Sequence, residues 1–253
     1  MNKNYYGKLL SSPLQNFKAK KNLDLLVHTY FLSLAHSDTS GYNVCPLANR
    51  VTREEKHPEK SNCSAVCVAE NGKGKFPNVK KARILKTKMF FENRDKFVEL
   101  LYLDVKKAIE FSEFYGFIPT FRLNAYSDIN WEKIIIKDNK NIFELFPSIT
   151  FYDYTKIPNR KTPRNYELTY SHWGKWETTN KKLKKGHNVA MVFNKNNKLP
   201  DIFQNKKVVN GDKTDLRTKE NDGNGVIVGL LAKMSKEKIE NELKKDVSFI
   251  VKS

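Results

Sequence analysis

The most constraining feature of this chain is a rhythm of short runs rich in β-branched and aromatic residues, separated by polar or helix-forming stretches. The runs are 117–123, 149–154, 166–170, 189–193, 207–209 and 226–231, and an earlier run, Leu25 to Leu34, reads as a buried strand. Strands separated by connections of this length pair parallel, because a parallel neighbour needs a crossover. The pattern predicts an α/β protein with a mostly parallel sheet or partial (β/α) barrel, without requiring a closed eight-stranded one. An N-terminal cysteine-bearing loop and helices precede the main run of strands.

Those helices are legible in the spacing. Pro77-Asn78 opens one, with Asn78 as its cap, and after Asn93 the residues Phe97, Leu100, Leu101, Val105 and Ile109 recur on one helical face until Gly116. A last helix over 235–244 turns Ile239 and Leu243 towards the core, a final strand covers Val247 to Val251, and 221–225 reads as a turn. Residues 1–24 are polar and lysine-rich and read as a basic arm, leaving 25–253 as a single α/β domain.

Charge narrows the partners. Lys and Arg number 46 against 28 Asp and Glu, and a net charge of +18 repels itself unless a polyanion is near, which points to DNA or RNA. No apolar run of roughly 18 residues and no lipidation signal marks a membrane protein. The N-terminal residues carry no apolar signal region, so the expected location is the cytoplasm. Three cysteines are an odd number for a disulfide framework, and reduced thiols are expected.

Cys45, Cys63 and Cys67 are separated by 17 and then three residues, all inside an irregular stretch from Ser37 to Lys75. A loop of that length inside a compact domain is usually functional or tied down. Thiolates are soft ligands. With His36 or His57 as a fourth ligand they would close a structural zinc site, and without one they would hold an iron–sulfur cluster with one iron open. The plain alternative is three unconnected small apolar side chains.

Polar residues gather just after the strands, where parallel α/β folds place their sites: Arg122, Asn124, Ser127 and Asp128, then Asp153, Tyr154 and Lys156, then Ser171 and His172. Carboxylates there could bind cations or act as bases, although each residue is also a common cap or turn former. Asp212, Asp215 and Arg217 follow another run, and their simplest reading is an ion pair. Trp173, Lys175 and Trp176 beside Lys184 and Lys185 mix ring faces with charge, as single-strand binders do, and with Arg122 they form the predicted nucleic-acid surface, although a Trp pair is more often core than platform. His28 and His187 read as structural.

Several segments together resemble the bacteriophage gene product 88 family. They are Cys45-Pro46, Cys63-x-x-x-Cys67-Val68-Ala69, Phe76-Pro77-Asn78-Val79 with Arg83, and Arg122 to Ile129 with Trp131-Glu132. Further on come Phe151 to Lys156, Tyr166 to Ser171, and Gly211-Asp212-x-x-Asp215-x-Arg217 ahead of Gly225 to Lys233. The resemblance implies that the cysteines and the strand-end groups belong to one site. It also suggests a barrel similar to radical S-adenosylmethionine enzymes, whose three cysteines sit closer together than these.

The leading expectation is therefore a phage-type metal or iron–sulfur protein acting on or binding nucleic acid in the infected host cell, with a nucleic-acid-modifying enzyme as one form of it. Cys45, Cys63 and Cys67 would be the ligands, and Asn124, Asp128, Asp153, Lys156 and Asp212 would line the pocket. The competing expectations are a noncatalytic nucleic-acid-binding protein with structural zinc, and a phage regulator that binds a host protein.

Overall fold

The computed structural model describes residues 9–14, 17–51, 60–195, 198–245 and 248–251. The strands are β1 (Leu10–Ser11), β2 (Val27–Leu32), β3 (Ile118–Arg122), β4 (Thr150–Thr155), β5 (Tyr166–Ser171), β6 (Val189–Phe193), β7 (Ile202–Phe203), β8 (Lys206–Asn210), β9 (Ile227–Leu231) and β10 (Ile250–Val251). The helices are α1 (Phe17–Lys20), α2 (Pro77–Glu92), α3 (Arg94–Phe114), α4 (Ile142–Leu145), α5 (Trp176–Lys184), α6 (Lys219–Asp222) and α7 (Lys236–Leu243).

The strands form one sheet in the order β1-β2-β3-β4-β5-β6-β9-β8-β7, with β10 beside the end of β6. From β2 to β8 every pairing is parallel, and only the β1–β2 and β7–β8 pairs are antiparallel. The sheet stays open. Because β2 to β6 follow chain order, their carboxyl ends line up on one edge, as the rhythm of the sequence predicts.

Helix α3 covers one face of the first strands. Phe97, Leu101 and Val105 are fully buried, and each stabilises the fold by about 1.5–3 kcal/mol. They join Tyr30, Phe121, Trp131, Phe143 and Phe151 in one cluster. Gly116, at φ 73°, takes the left-handed turn after α3 that a side chain would resist. Beside β6 and β10, Ile239 of α7 packs with Leu243, Met234 and Ile250 in a smaller cluster.

Four local expectations change. Pro77 rather than Asn78 begins α2, because proline's missing N–H costs nothing in a first turn. The 25–34 run shortens to β2, since Leu23–Leu25 forms a 3-10 turn and Leu26 has φ 55°. Residues 219–222, partly read as a turn, form the short α6, capped by Thr218 Oγ1 accepting from the Asn221 N–H. The expected N-terminal arm is packed where it is described. Leu9 and Leu10 are buried, their backbone N–H groups donate to Asp104 Oδ2 at 2.6 and 3.1 Å, and β1 pairs with β2. Its apolar Leu9-Leu10 pair outweighs the polar average of the segment.

Candidate functional site

The cysteines are brought together by backbone pairing rather than by sequence proximity. The Asn49 N–H donates to the Ser61 carbonyl at 2.8 Å, and the Ser61 N–H donates to the Leu47 carbonyl at 2.9 Å. That clasp sets Cys45 just before it and Cys63 just after it. Ser61 Oγ then donates to Cys63 Sγ at 2.9 Å, and a 3-10 turn, Asn62–Ser64, carries the chain on to Cys67.

The loop is anchored to the strand edge by its own hydrogen bonds. The Asp128 N–H donates to the Val44 carbonyl at 2.8 Å, and Cys45 Sγ accepts from the Ser37 N–H at 3.3 Å and donates to the Tyr126 carbonyl at 3.5 Å. From α2, Arg83 donates to the Ala69 carbonyl at 2.9 Å and lies 4.3 Å over the Tyr126 ring. Gly74 sits so close to the Ala69 carbonyl that an added Cβ would overlap it at 2.1 Å, so no larger residue fits this turn. Protein contacts thus supply part of the tie that the sequence assigns to an ion.

All three cysteines line one cleft of about 240 Å³ at the carboxyl edge of the sheet. Its other lining residues are Arg122 at the end of β3 with Asn124 and Asp128 beyond it, Tyr154 and Thr155 of β4 with Lys156 after it, Ser171 of β5, Ala190 and Val192 of β6, Asp212 beyond β8, and Leu230 and Leu231 of β9. Burial pushes the Cys45 thiol far above its ordinary range and the Cys67 thiol up to about 11. These thiols stay protonated until something positive binds them. Among the described residues, no three His, Cys, Asp or Glu side chains are gathered tightly enough to hold an ion as they stand.

The predicted site residues divide into two kinds. Lys156 Nζ reaches Ser171 Oγ at 2.9 Å, at the ends of adjacent strands, and both line the cleft. Asp212 also lines it, with Oδ2 accepting from the Leu231 N–H at 2.9 Å and Oδ1 paired with Lys233. Asn124 and Asp128 line it too, but their polar atoms are committed. Asp128 accepts from Thr155 Oγ1, the Lys156 N–H and Arg160, while burial raises its carboxyl above the ordinary range. Asn124 holds the turn through residue 131.

Asp153 stands outside the cleft wall. It is fully buried and accepts from the Leu123 and Asn124 N–H groups at 3.1 and 3.0 Å and from Tyr166 at 3.0 Å, so it shapes the strand end instead of facing a ligand. Arg122 is 2% exposed and donates to Asp215 Oδ2 at 2.7 Å, which removes it from the predicted nucleic-acid surface. Trp173, 4% exposed, packs with Tyr170 and Leu183 and offers no stacking face. Trp176 is half-buried against His172 and Phe203, whereas Lys175, Lys184 and Lys185 are exposed. A Trp-rich segment next to lysines gives the same pattern whether its rings face solvent or the core, and here apolar partners on β5 and α5 decide.

The histidines also separate. His28 stacks on Phe117 with ring centroids 3.9 Å apart, as a structural residue does. His187 is exposed, against expectation. His36 lies 3.7 Å from Glu70 and lines a different cavity from the cysteines, and His57 falls outside the described residues. The sequence reading missed Arg160, whose buried guanidinium binds Asp128 and Glu132, and Lys21, whose Nζ donates to the Asp212 carbonyl. Neither lies in a strand-end run, so only tertiary contact reveals them.

A family model described as gene product 88 matches residues 4–246. The chain belongs to the gene product 88 family. The match spans both the cysteine loop and every strand that contributes to the cleft, so the resemblance drawn from separate motifs extends over nearly the whole molecule. The chain is thus a bacteriophage-type protein. No curated protein and no solved structure matches it. Among the described residues of this gene product 88 protein, no helix is long and apolar enough to cross a membrane.

Proposed function

We propose that this protein is a phage metalloprotein, with an iron–sulfur cluster bound by Cys45, Cys63 and Cys67, and that it works on nucleic acid. The observation that carries the reading is the convergence of all three thiols on one cleft at the carboxyl edge of a parallel sheet. The donor set fits such a group. Thiolates are its ordinary ligands, and three of them leave one iron open to an outside ligand when the cluster is bound. A structural zinc needs four ligands closed around a point, with sulfurs about 4 Å apart at a Zn–S distance of about 2.3 Å. The cleft is open, and the described histidine candidate, His36, lines a different cavity, 3.7 Å from Glu70.

Around this centre the chain supplies orientation and charge. Lys156, steadied by Ser171, presents an ammonium to the cleft, and Asp212 presents a carboxylate already oriented by Lys233 and the Leu231 N–H. These groups suit the binding of a polar ligand beside the thiols. The net charge of +18 supports a polyanionic partner.

Anaerobic purification followed by iron, sulfide and zinc analysis tests the metal. The reading expects iron and acid-labile sulfide in equal amounts with a brown absorption, and loss of most of both in Cys45→Ser, Cys63→Ser and Cys67→Ser. One tightly held zinc per chain without iron would overturn it in favour of the structural alternative.

A further inference from the structure

A second cleft, of about 450 Å³, lies between the β4–β5 connection, the turn entering β6 and the start of α6. The charged groups of its lining are mostly cations, Arg164, Lys182 and Lys219 among them, with His187 beside them. Two further arginines, Arg160 and Arg217, are neutralised by Asp128, Glu132 and Asp222. Glu167 is the single carboxylate on the wall, and one of its oxygens accepts the Lys219 backbone N–H at 2.7 Å.

Among the described residues, no carboxylate stands within 4 Å of the side-chain nitrogens of Arg164, Lys182 or Lys219, whereas eight other Lys and Arg residues have such partners. Unbalanced like charges facing one hollow repel each other, and an anion between them removes that cost. His187, on the same wall, has its pKa lowered first by the partial burial of its ring and then by the charges of Lys182, Lys219 and Lys185.

We infer that this cleft is the seat of a phosphodiester backbone, holding nucleic acid through Arg164, Lys182 and Lys219 rather than through the predicted Trp173 platform. The inference rests on the nucleic-acid reading above and gives it an address. Concavity favours an extended polyanion, which lays successive phosphates along a hollow between two loops, whereas a bilayer offers such a hollow only single headgroups. The exposed Lys184 and Lys185 of the neighbouring helix end extend the positive surface outward from it.

Fluorescent single-stranded DNA and RNA oligonucleotides, titrated against the full chain over a range of salt, provide the test. The variant is Arg164→Glu/Lys182→Glu/Lys219→Glu. Its control, Lys88→Glu/Lys96→Glu/Lys106→Glu, makes the same charge change on exposed positions of α2 and α3. The cleft variant is expected to lose roughly tenfold or more in affinity at low salt and to flatten the salt slope by about one per lost phosphate contact, with the control losing only a few-fold. The milder Arg164→Gln/Lys182→Gln/Lys219→Gln triple should show the same order if the glutamates disturb folding. Equal losses in cleft and control variants would overturn the placement while leaving nucleic-acid binding intact. No oligonucleotide binding by the wild type would overturn both. Cleft-dependent binding to anionic phosphatidylserine vesicles without oligonucleotide binding would transfer the site to a membrane and overturn the inference.

Discussion

Arg122 and Asp215, 93 residues apart, meet through a 2.7 Å hydrogen bond that joins the end of β3 to the loop after β8. Both are buried, at 2% and 8% exposure, and the bond crosses the wall of the cysteine cleft. Asp215 is placed from the other side by Asn22, whose Oδ1 accepts its backbone N–H at 2.8 Å. The two halves of the sheet are therefore tied through charge as well as through strand pairing.

Removing one member of this pair leaves the other buried without its counter-charge. Arg122→Met or Asp215→Leu is expected to lower stability by about 3–5 kcal/mol, and the double variant by less than the sum of the singles. Urea unfolding of the four proteins measures the coupling. Additive losses would mean that the two side chains are not energetically coupled.

Asn124 is a densely connected polar side chain at the strand edge. Oδ1 accepts from Ser127, the Ile129 N–H and the Trp131 indole, and Nδ2 donates to the Ile129 carbonyl and Tyr166. Asn124→Ala leaves several of these buried groups unpartnered, at about 1–3 kcal/mol each where water cannot replace the bond. A fall in Tm of roughly 5–10 °C is expected for a chain of this size. A shift within a degree would show that the turn repairs itself.

Opposing pH effects are built into the core. Burial lowers His28 to about 4, and burial followed by Lys156 lowers His172 to about 4. An unfolded histidine titrates near 6.5, so the unfolded chain binds more protons between about pH 4 and 6.5, and stability rises with pH across that window. Asp153 acts the other way. Its burial outweighs Arg122 and its hydrogen bonds, raising it to about 7, so the folded chain holds that proton longer and stability declines from about pH 4 to 7.

The two histidines together shift further than Asp153, so these three groups raise the unfolding free energy to about pH 6.5; His36 and His187 act with the histidines, and Asp128 and Asp222 act with Asp153. NMR titration checks the components separately. The His172 imidazole, whose Nε2 accepts the Gly174 N–H and whose Nδ1 therefore carries the proton towards Thr179, should stay neutral down to about pH 4. An Asp153 carboxyl midpoint near 4, or a His172 midpoint near 6.5, would contradict the burial account.

The sequence by itself determined the class of fold and the sequential layout of its central strands. Period and length decide those locally: β-branched runs such as Val189–Phe193 need no distant partner to be read as strands, and the spacing of Phe97, Leu101 and Val105 marks one face of a helix. Cys45, Cys63 and Cys67 could be singled out from residue type, and Lys156 and Asp212 from their positions after strands.

Only the tertiary structure decided which of these residues share a surface. The clasp between Leu47, Asn49 and Ser61 brings the cysteines together across a separation that spacing cannot bridge, and the pairing of Arg122 with Asp215 turns a candidate phosphate ligand into a buried strut. Trp173 and His187 exchange their expected places for the same reason: solvent exposure is set by what packs against a residue, and packing partners far away in the chain leave no mark on the local sequence.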